Sequence, residues 1–177
     1  MVGARELIIS WGDTPGYWDW ISYADSRFSE VAELKFVCCL DIRGYINTRV
    51  LSPDTTYGAY IVFKLAEISY GLESADAIVR FVNVEADNVA TKSAGVVHLE
   101  EADLYQGQPG KLPVRRSDGW MEIELGHFYN SRGDDGDIEA RLMENEILCG
   151  KCGLIVEGIE FRPKPQQSQR EEQEKSH

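Results

Sequence analysis

Trp120-Met121-Glu122-Ile123-Glu124-Leu125 decides the fold class, because its residues alternate strictly. Met121, Ile123 and Leu125 fall on one face and the two glutamates on the other, the period of two that marks a half-buried strand. Trp120 opens that strand opposite the apolar set and reads as a structural residue. Residues 137–142 repeat the pattern, with Ile138, Ala140 and Leu142 facing inward and Asp137, Glu139 and Arg141 expected to face water. Further strand candidates are 6–10, 35–42, 45–51, 59–68, 78–84, 95–100 and 154–161. Turn chemistry separates them: Arg43-Gly44, Ser52-Pro53-Asp54, Gln108-Pro109-Gly110, Ser117-Asp118-Gly119 and Gly133-Asp134-Asp135-Gly136. The best helical candidate is a short turn at 29–34. Many short strands so punctuated specify an all-β chain, an antiparallel, jelly-roll-like β-sandwich with short helical turns.

The sandwich is expected to occupy residues 1–163. Residues 164–177 hold no apolar side chain and are expected to be a disordered polar tail, since nothing in them offsets the entropy of ordering. Three basic and three acidic residues cancel there, so the net charge of −12 sits on the body. Such a surface does not attract phosphate backbones or anionic membranes, which excludes a general nucleic-acid binder and argues against membrane docking. No apolar run approaches the roughly 20 residues of a membrane span. The start of the chain carries Arg5-Glu6 where a secretory signal would be apolar, and there is no Asn-x-Ser/Thr sequon; a cytoplasmic, non-secreted protein is expected.

Four cysteines are present, Cys38, Cys39, Cys149 and Cys152. Cys38 and Cys39 fall in the apolar run Phe36-Val37-Cys38-Cys39-Leu40, read as a strand that turns at most one of them inward. Cys149-Gly150-Lys151-Cys152 has the C-x-x-C spacing. His98, His127 and His177 show no H-x₃₋₅-H partner spacing for zinc, and no βαβ pattern surrounds the motif, so free thiols or linkage between chains on oxidation is expected. Asp134-Asp135-Gly136-Asp137 lacks the ligand periodicity of a calcium loop and reads as a hairpin turn. No cofactor or metal is expected.

Three of the four tryptophans lie within ten residues, in Trp11-Gly12-Asp13-Thr14-Pro15-Gly16-Tyr17-Trp18-Asp19-Trp20. The Gly-Asp-Thr-Pro-Gly insert is loop-forming, so the aromatics sit on a loop rather than along one buried strand. An indole face stacks on the C–H face of a sugar, and a carboxylate accepts from two neighbouring hydroxyls. The carboxylates that suit this are Asp13 and Asp19 in the loop, and Glu139 and Glu146 near the C-terminal strands. A spacing of seven puts Glu139 and Glu146 on opposite faces of an unbroken strand, unless a bend at Asn145 brings them to one edge.

These blocks, taken in order, resemble the phloem protein 2 family of plant lectins, which includes the tobacco-type, Nictaba-like lectins. The matching stretches are Trp11-Gly12, Tyr17-Trp18-Asp19-Trp20, Asp25-Ser26-Arg27-Phe28-Ser29-Glu30-Val31-Ala32-Glu33-Leu34 and Leu51-Ser52-Pro53-Asp54-Thr55-Thr56-Tyr57-Gly58-Ala59-Tyr60. Arg116-Ser117-Asp118-Gly119-Trp120-Met121-Glu122-Ile123-Glu124-Leu125-Gly126 and Gly153-Leu154-Ile155-Val156-Glu157-Gly158-Ile159-Glu160-Phe161-Arg162-Pro163 complete the set. The resemblance implies a non-catalytic carbohydrate-binding lectin for N-acetylglucosamine oligomers (chitooligosaccharides) and the chitobiose core of N-glycans. It implies a homodimer of the cytoplasm and phloem sap with a part in plant defence. It also implies sugar-binding roles for Trp11 and Trp18 and for Glu139 and Glu146, each pair seven residues apart. Members of the phloem type are cross-linked into filaments by disulfides, which makes Cys38, Cys39, Cys149 and Cys152 candidates for linkage to phloem filament proteins. The basic nuclear-import run of the tobacco type is missing, so nuclear entry is not expected. Met1 stands directly before the lectin body, so a preceding F-box and a ubiquitin-ligase adaptor role are not expected either. A chitin-degrading glycosidase is the enzyme alternative, without a catalytic motif to carry it.

Overall fold

The computed structural model describes residues 1–100, 107–147 and 149–165. Among the described residues, twelve strands form two antiparallel sheets. The larger contains β1 (Val2–Gly3), β3 (Trp18–Ile21), β4 (Val31–Leu34), β6 (Thr55–Tyr70), β9 (Val114–Arg115), β10 (Met121–Asn130) and β12 (Cys152–Pro163), in the order β3-β4-β12-β6-β10-β9 with β1 also on β12. The smaller contains β2 (Ile8–Ile9), β5 (Leu40–Asn47), β7 (Ala75–Phe81), β8 (Gly95–Val97) and β11 (Asp137–Glu144), in the order β2-β5-β11-β7-β8. A short helix, α1 (Asp87–Lys92), lies outside the smaller sheet.

The alternating stretches became the expected walls of the core. Ile123 and Leu125 from β10 meet Ile138, Ala140 and Leu142 from β11 in one apolar cluster, with Ile61, Phe63 and Ile159 from the centre of the larger sheet. Two glycines let the sheets approach. A β-carbon on Gly44 would stand 3.0 Å from Ile159 and from Leu7, and one on Gly126 would stand 2.9 Å from Val79. The turns at Ser117-Asp118-Gly119 and Gly133 to Gly136 use glycines at positive φ, between 83° and 87°.

Trp120 is fully buried, on the outer face of the larger sheet rather than between the sheets. It packs with Val31, Val62 and Ile155, and its indole N–H donates to the Asp25 carbonyl at 3.1 Å. Tyr23 meets it edge-on and the Lys64 ammonium stands 4.9 Å from its ring.

Several local expectations give way to tertiary pairing. Residues 29–34 do not make a helical turn: Val31–Leu34 is a strand between β3 and β12, because both neighbours offer hydrogen bonds and apolar cover. Arg43-Gly44 does not turn the chain; both residues run through the middle of β5, and Gly44 is there to be thin, not to bend. Cys38 and Cys39 are not on a strand, and neither is core, since β5 starts at Leu40. Glu139 and Arg141 do not face water: Arg80 and Tyr45 close over the first, and Asp41 and Asp87 of α1 pair with the second. β3 begins at Trp18, so the aromatic loop is shorter than its sequence suggests. The tail expected at 164–177 lies outside the described residues from 166 onward.

Replacing Trp120 with alanine should lower stability by about 3–5 kcal/mol, the usual cost of emptying a large aromatic site. Urea unfolding checks it, and a loss below about 1 kcal/mol would mean the outer cluster does not hold the sheet.

Candidate functional site

The loop between β2 and β3 is built as a series of nested turns. The Ser10 N–H still pairs with the Asp41 carbonyl at 3.0 Å. At Trp11 the backbone turns left-handed, with φ of 64°, a conformation costing a non-glycine residue roughly 1–2 kcal/mol. Gly12 then donates to Ile9, Thr14 to Trp11, and both Tyr17 and Trp18 to Thr14. From β3 the Trp20 indole N–H reaches back to the Gly12 carbonyl at 3.0 Å, and the Arg5 guanidinium lies 3.8 Å over the Trp20 ring.

That scaffold sorts the aromatics. Trp11 is 59% exposed and Tyr17 40%, their rings edge-to-face with centroids 6.0 Å apart. Trp18 is 3% exposed and belongs to the main core. Asp13 is exposed on the same loop, while Asp19 stands on the outer side of β3, 3.8 Å from Lys35.

A second loop, residues 145–147 and 149–150, comes to the same end and is held by Lys151. That lysine is 1% exposed. Its ammonium donates to the carbonyls of Cys38 (2.7 Å), Ile147 (2.8 Å) and Cys149 (3.2 Å), and stands 2.6 Å from Glu144 Oε2. Glu144 Oε1 in turn accepts the backbone N–H groups of Glu146 and Ile147 at 3.1 and 2.9 Å. Burial works to raise the Glu144 carboxyl, but its bonds to Lys151 and to those two amides outweigh burial and hold it below the ordinary carboxylate range. A third loop is tied in by backbone: Lys35 and Phe36 donate to the Tyr17 carbonyl, and Val37 pairs with Lys151. The Phe36 ring lies directly on Gly150, where a β-carbon would collide with it. A chain of contacts thus runs from Trp11 through Tyr17, Phe36, Val37, Lys151 and Glu144 to the Glu146 amide.

Glu139 stands elsewhere. It is fully buried on the outer face of the smaller sheet, accepting from Arg80 Nε at 3.0 Å and from the Tyr45 hydroxyl, with Arg43 at 3.8 Å. Burial would raise its carboxyl, yet the bonds from Arg80 and Tyr45 and the two guanidinium charges keep it low. Two strand residues beyond, Arg141 grips Asp41 at 2.9 and 2.7 Å and Asp87 of α1 at 3.0 Å. From Glu139 to Met143, which faces Asp41 at the Trp11 end, is four strand residues, about 13 Å. Glu146 is exposed beyond the end of β11, and its charge helps raise the neighbouring, partly buried Asp76 carboxyl, after burial itself. The strand breaks at Asn145, as a shared edge would require, but Glu139 and Glu146 are not brought together by it.

The structure therefore gathers Trp11, Asp13 and Glu146 at one end and leaves Trp18 and Glu139 inside. Tyr17, Phe36 and Lys151 are the residues that sequence reading passed over. Tyr17 lay in the aromatic run already singled out. Lys151 carried one signal, a charged residue directly before the apolar strand Cys152–Pro163.

Residues 1–163 match the family model described as phloem protein 2. Two Arabidopsis thaliana proteins are similar over 92% of this chain: F-box protein PP2-B10 at 46% identity and putative F-box protein PP2-B8 at 40%. The matched regions cover 59% and 56% of those two proteins, so the chain spans little more than half the length of the curated relatives it matches. Among solved structures, the Podospora anserina GH26-CBM35 β-(1,4)-mannanase aligns with a TM-score of 0.49 at 10% identity, over 92% of this chain and 27% of that one.

Lys151→Met should cost about 3–5 kcal/mol, because it leaves Glu144 buried and unpaired. A carboxyl held low in the folded state adds stability above its ordinary pKa of 4.5 and loses it as pH falls through the folded value. The gap in urea midpoint between wild type and Lys151→Met should therefore narrow on acidification from about pH 5 to about pH 3. A constant gap would show that the ion pair is not what the mutation removes.

Proposed function

The chain belongs to the phloem protein 2 family, and from that premise we propose that its β-sandwich is a non-catalytic lectin module for oligomers of N-acetylglucosamine, including the chitobiose core of N-glycans. The observation that carries this reading is Trp11: a largely exposed indole on a tied-down, left-handed turn, with Tyr17 fixed against it. An aromatic held in this way presents its face without losing rotamer freedom on contact, which suits a sugar ring. Asp13 and Glu146 are the exposed carboxylates at the same end and take the role of accepting hydroxyl pairs.

Trp18 and Glu139, whose positions also match the family's sugar-associated pairs, serve a different purpose in this chain. Trp18 seats the loop in the core and Glu139 holds three strands of the smaller sheet together. A site with one stacking ring and few polar contacts binds a single sugar weakly, at the millimolar level that about 4 kcal/mol supports. Longer oligomers, or a bivalent homodimer, raise the apparent affinity through extra subsites and effective concentration. The similar relatives are named F-box proteins, and in them the matched sandwich is one part of a longer chain. We place the protein in the cytoplasm, without nucleic-acid or membrane partners, in keeping with its charge of −12.

The exposed thiols of Cys38 and Cys149 favour a second reading, cross-linking to phloem filament proteins. It predicts disulfide-linked species on non-reducing gels of native material and can coexist with glycan binding.

Calorimetric titration with chitotriose should give saturable binding, weakened at least about tenfold, or about 1.4 kcal/mol, in Trp11→Ala at an unchanged urea midpoint. Trp18→Ala should instead lower the urea midpoint. Binding that survives Trp11→Ala would move the site away from this loop, and release of shorter sugars would overturn the non-catalytic reading.

A further inference from the structure

Phe36 is 45% exposed, although the next residue, Val37, belongs to the core. A single exposed apolar side chain means little, but this one is not isolated. Tyr17 joins it to Trp11. The Tyr17 ring meets the Trp11 indole edge-on, and the Tyr17 carbonyl accepts the backbone N–H groups of Lys35 at 2.9 Å and Phe36 at 3.3 Å. The second of those bonds holds the α-carbons of Tyr17 and Phe36 within about 7 Å of each other. The phenyl ring also rests against Gly150, where a β-carbon would collide with its Cδ2, Cε2 and Cζ atoms. Gly150 is itself fixed, by the bridge between Val37 and Lys151 beside it and by Gly71, whose own β-carbon would stand 2.6 Å from the Gly150 carbonyl. Phe36 is therefore an exposed aromatic positioned from two sides, as Trp11 is.

The polar groups around these rings are mostly acidic. Asp13 and Glu146 are exposed at this end, and Asp19 and Glu33 face each other across β3 and β4, the strands that follow Tyr17 and precede Phe36. Lys35 is already engaged by Glu33 at 3.2 Å and Asp19 at 3.8 Å, and Arg5 by Glu30 at 2.8 Å and by the Trp20 ring. Such a surface repels phosphates, uronates and other acidic ligands. To an uncharged ligand it offers apolar faces with carboxylate acceptors beside them. We propose that Phe36 is a second stacking subsite, so that the Trp11 site takes an uncharged oligosaccharide laid from Trp11 towards Phe36 rather than a single sugar. The subsite rests on the glycan-binding reading of Trp11 and adds to it the length and charge of the ligand. Each ring takes the C–H face of a different sugar unit, and Tyr17 fixes their separation through its ring on one side and its carbonyl on the other.

Calorimetric titrations of the full chain with N-acetylglucosamine and with chitotriose measure the affinity gained from added length. Phe36→Ala should cut that gain by at least about threefold, weakening chitotriose more than the monosaccharide. Phe36→Leu, which keeps apolar bulk against Gly150 without an aromatic face, should do the same, and Phe36→Tyr should restore the wild-type gain. Trp11→Ala should weaken both sugars. Chitotriose oxidised to carboxylates at its primary hydroxyls should bind at least about tenfold more weakly than its parent at low salt, with the gap closing at about 1 M salt. An undiminished length gain in Phe36→Leu, with wild type binding chitotriose, would overturn the subsite and leave the reading of Trp11 standing. Absence of sugar binding by the wild type would overturn both. Equal affinity for the carboxylated trimer would overturn the selection for uncharged ligands. A change of oligomeric state in Phe36→Leu, seen by sedimentation, would assign the ring to contact between copies of the chain and overturn the subsite as well.

Discussion

A single buried ammonium decides the shape of the end that carries Trp11 and Glu146. Lys151 lies where β12 enters the core, and a lysine there loses its hydration shell, a cost of several kcal/mol that only full pairing offsets. Three carbonyls and one carboxylate supply that pairing, and they come from both sides of the chain: Cys38 from the segment before β5, and Ile147, Cys149 and Glu144 from the segment before β12. Because the charge cannot be left unpaired, the loops cannot wander from it. Glu144 passes the constraint outward, since the same carboxylate caps the amides of Glu146 and Ile147. Phe36 passes it the other way, through the backbone bonds that tie residues 35 and 36 to Tyr17.

The two sheets solve their outer faces differently, and that difference separates structural carboxylates from available ones. On the smaller sheet, Asp41, Glu139 and Asp87 are matched by Arg43, Arg80 and Arg141, so each carboxylate already spends its lone pairs on guanidinium groups. A sugar hydroxyl would have to displace a charge-assisted bond at Glu139, trading a stronger interaction for a weaker one. On the larger sheet, Arg116 and Arg162 pair with Glu122 and Glu160 in the same manner. The exposed carboxylates at the loop end, Asp13 and Glu146, are under no such demand from a guanidinium, and they are the ones with coordination to spare for a ligand.

Where side-chain alternation was strict, the fold could be read directly. Met121, Ile123 and Leu125, like Ile138, Ala140 and Leu142, faced inward as their period demanded, because burying a strand face is a local choice repeated every second residue. The failures share a cause. Gly44 signals a turn by propensity but was selected for thinness against Ile159 and Leu7, contacts more than a hundred residues away and about thirty-seven residues away. Residues 31–34 look helical only until β3 and β12 are placed on either side of them. Glu139 and Arg141 read as solvent-facing because a sequence cannot show that Arg80, Tyr45 and an uncapped helix, starting after Ala86 without a side-chain cap, will close over that face. At the site, the cluster of aromatics was legible, and its sorting was not. Trp11 and Trp18 have the same chemistry, and only the left-handed turn at Trp11 and the start of β3 at Trp18 put one in water and the other in the core.

That turn is the feature that supports the role proposed for the exposed indole. Left-handed backbone at a bulky residue is unfavourable, and a largely exposed position recovers little of that cost in packing. A glycine would relieve the strain at no cost to the nested hydrogen bonds, which use only backbone groups of residues 9–18. Keeping tryptophan there makes sense if the indole is needed outside, and if it is needed immobile. Tyr17 blocks one edge of the ring, while Trp20 holds the loop through the Gly12 carbonyl and is itself covered by Arg5. A ligand that stacks on such a ring meets a surface whose ordering cost was met on folding, so a modest contact area yields measurable affinity. A flexible loop with the same residues would lose that advantage, and the buried Lys151 and Trp18 are what keep this loop from being one.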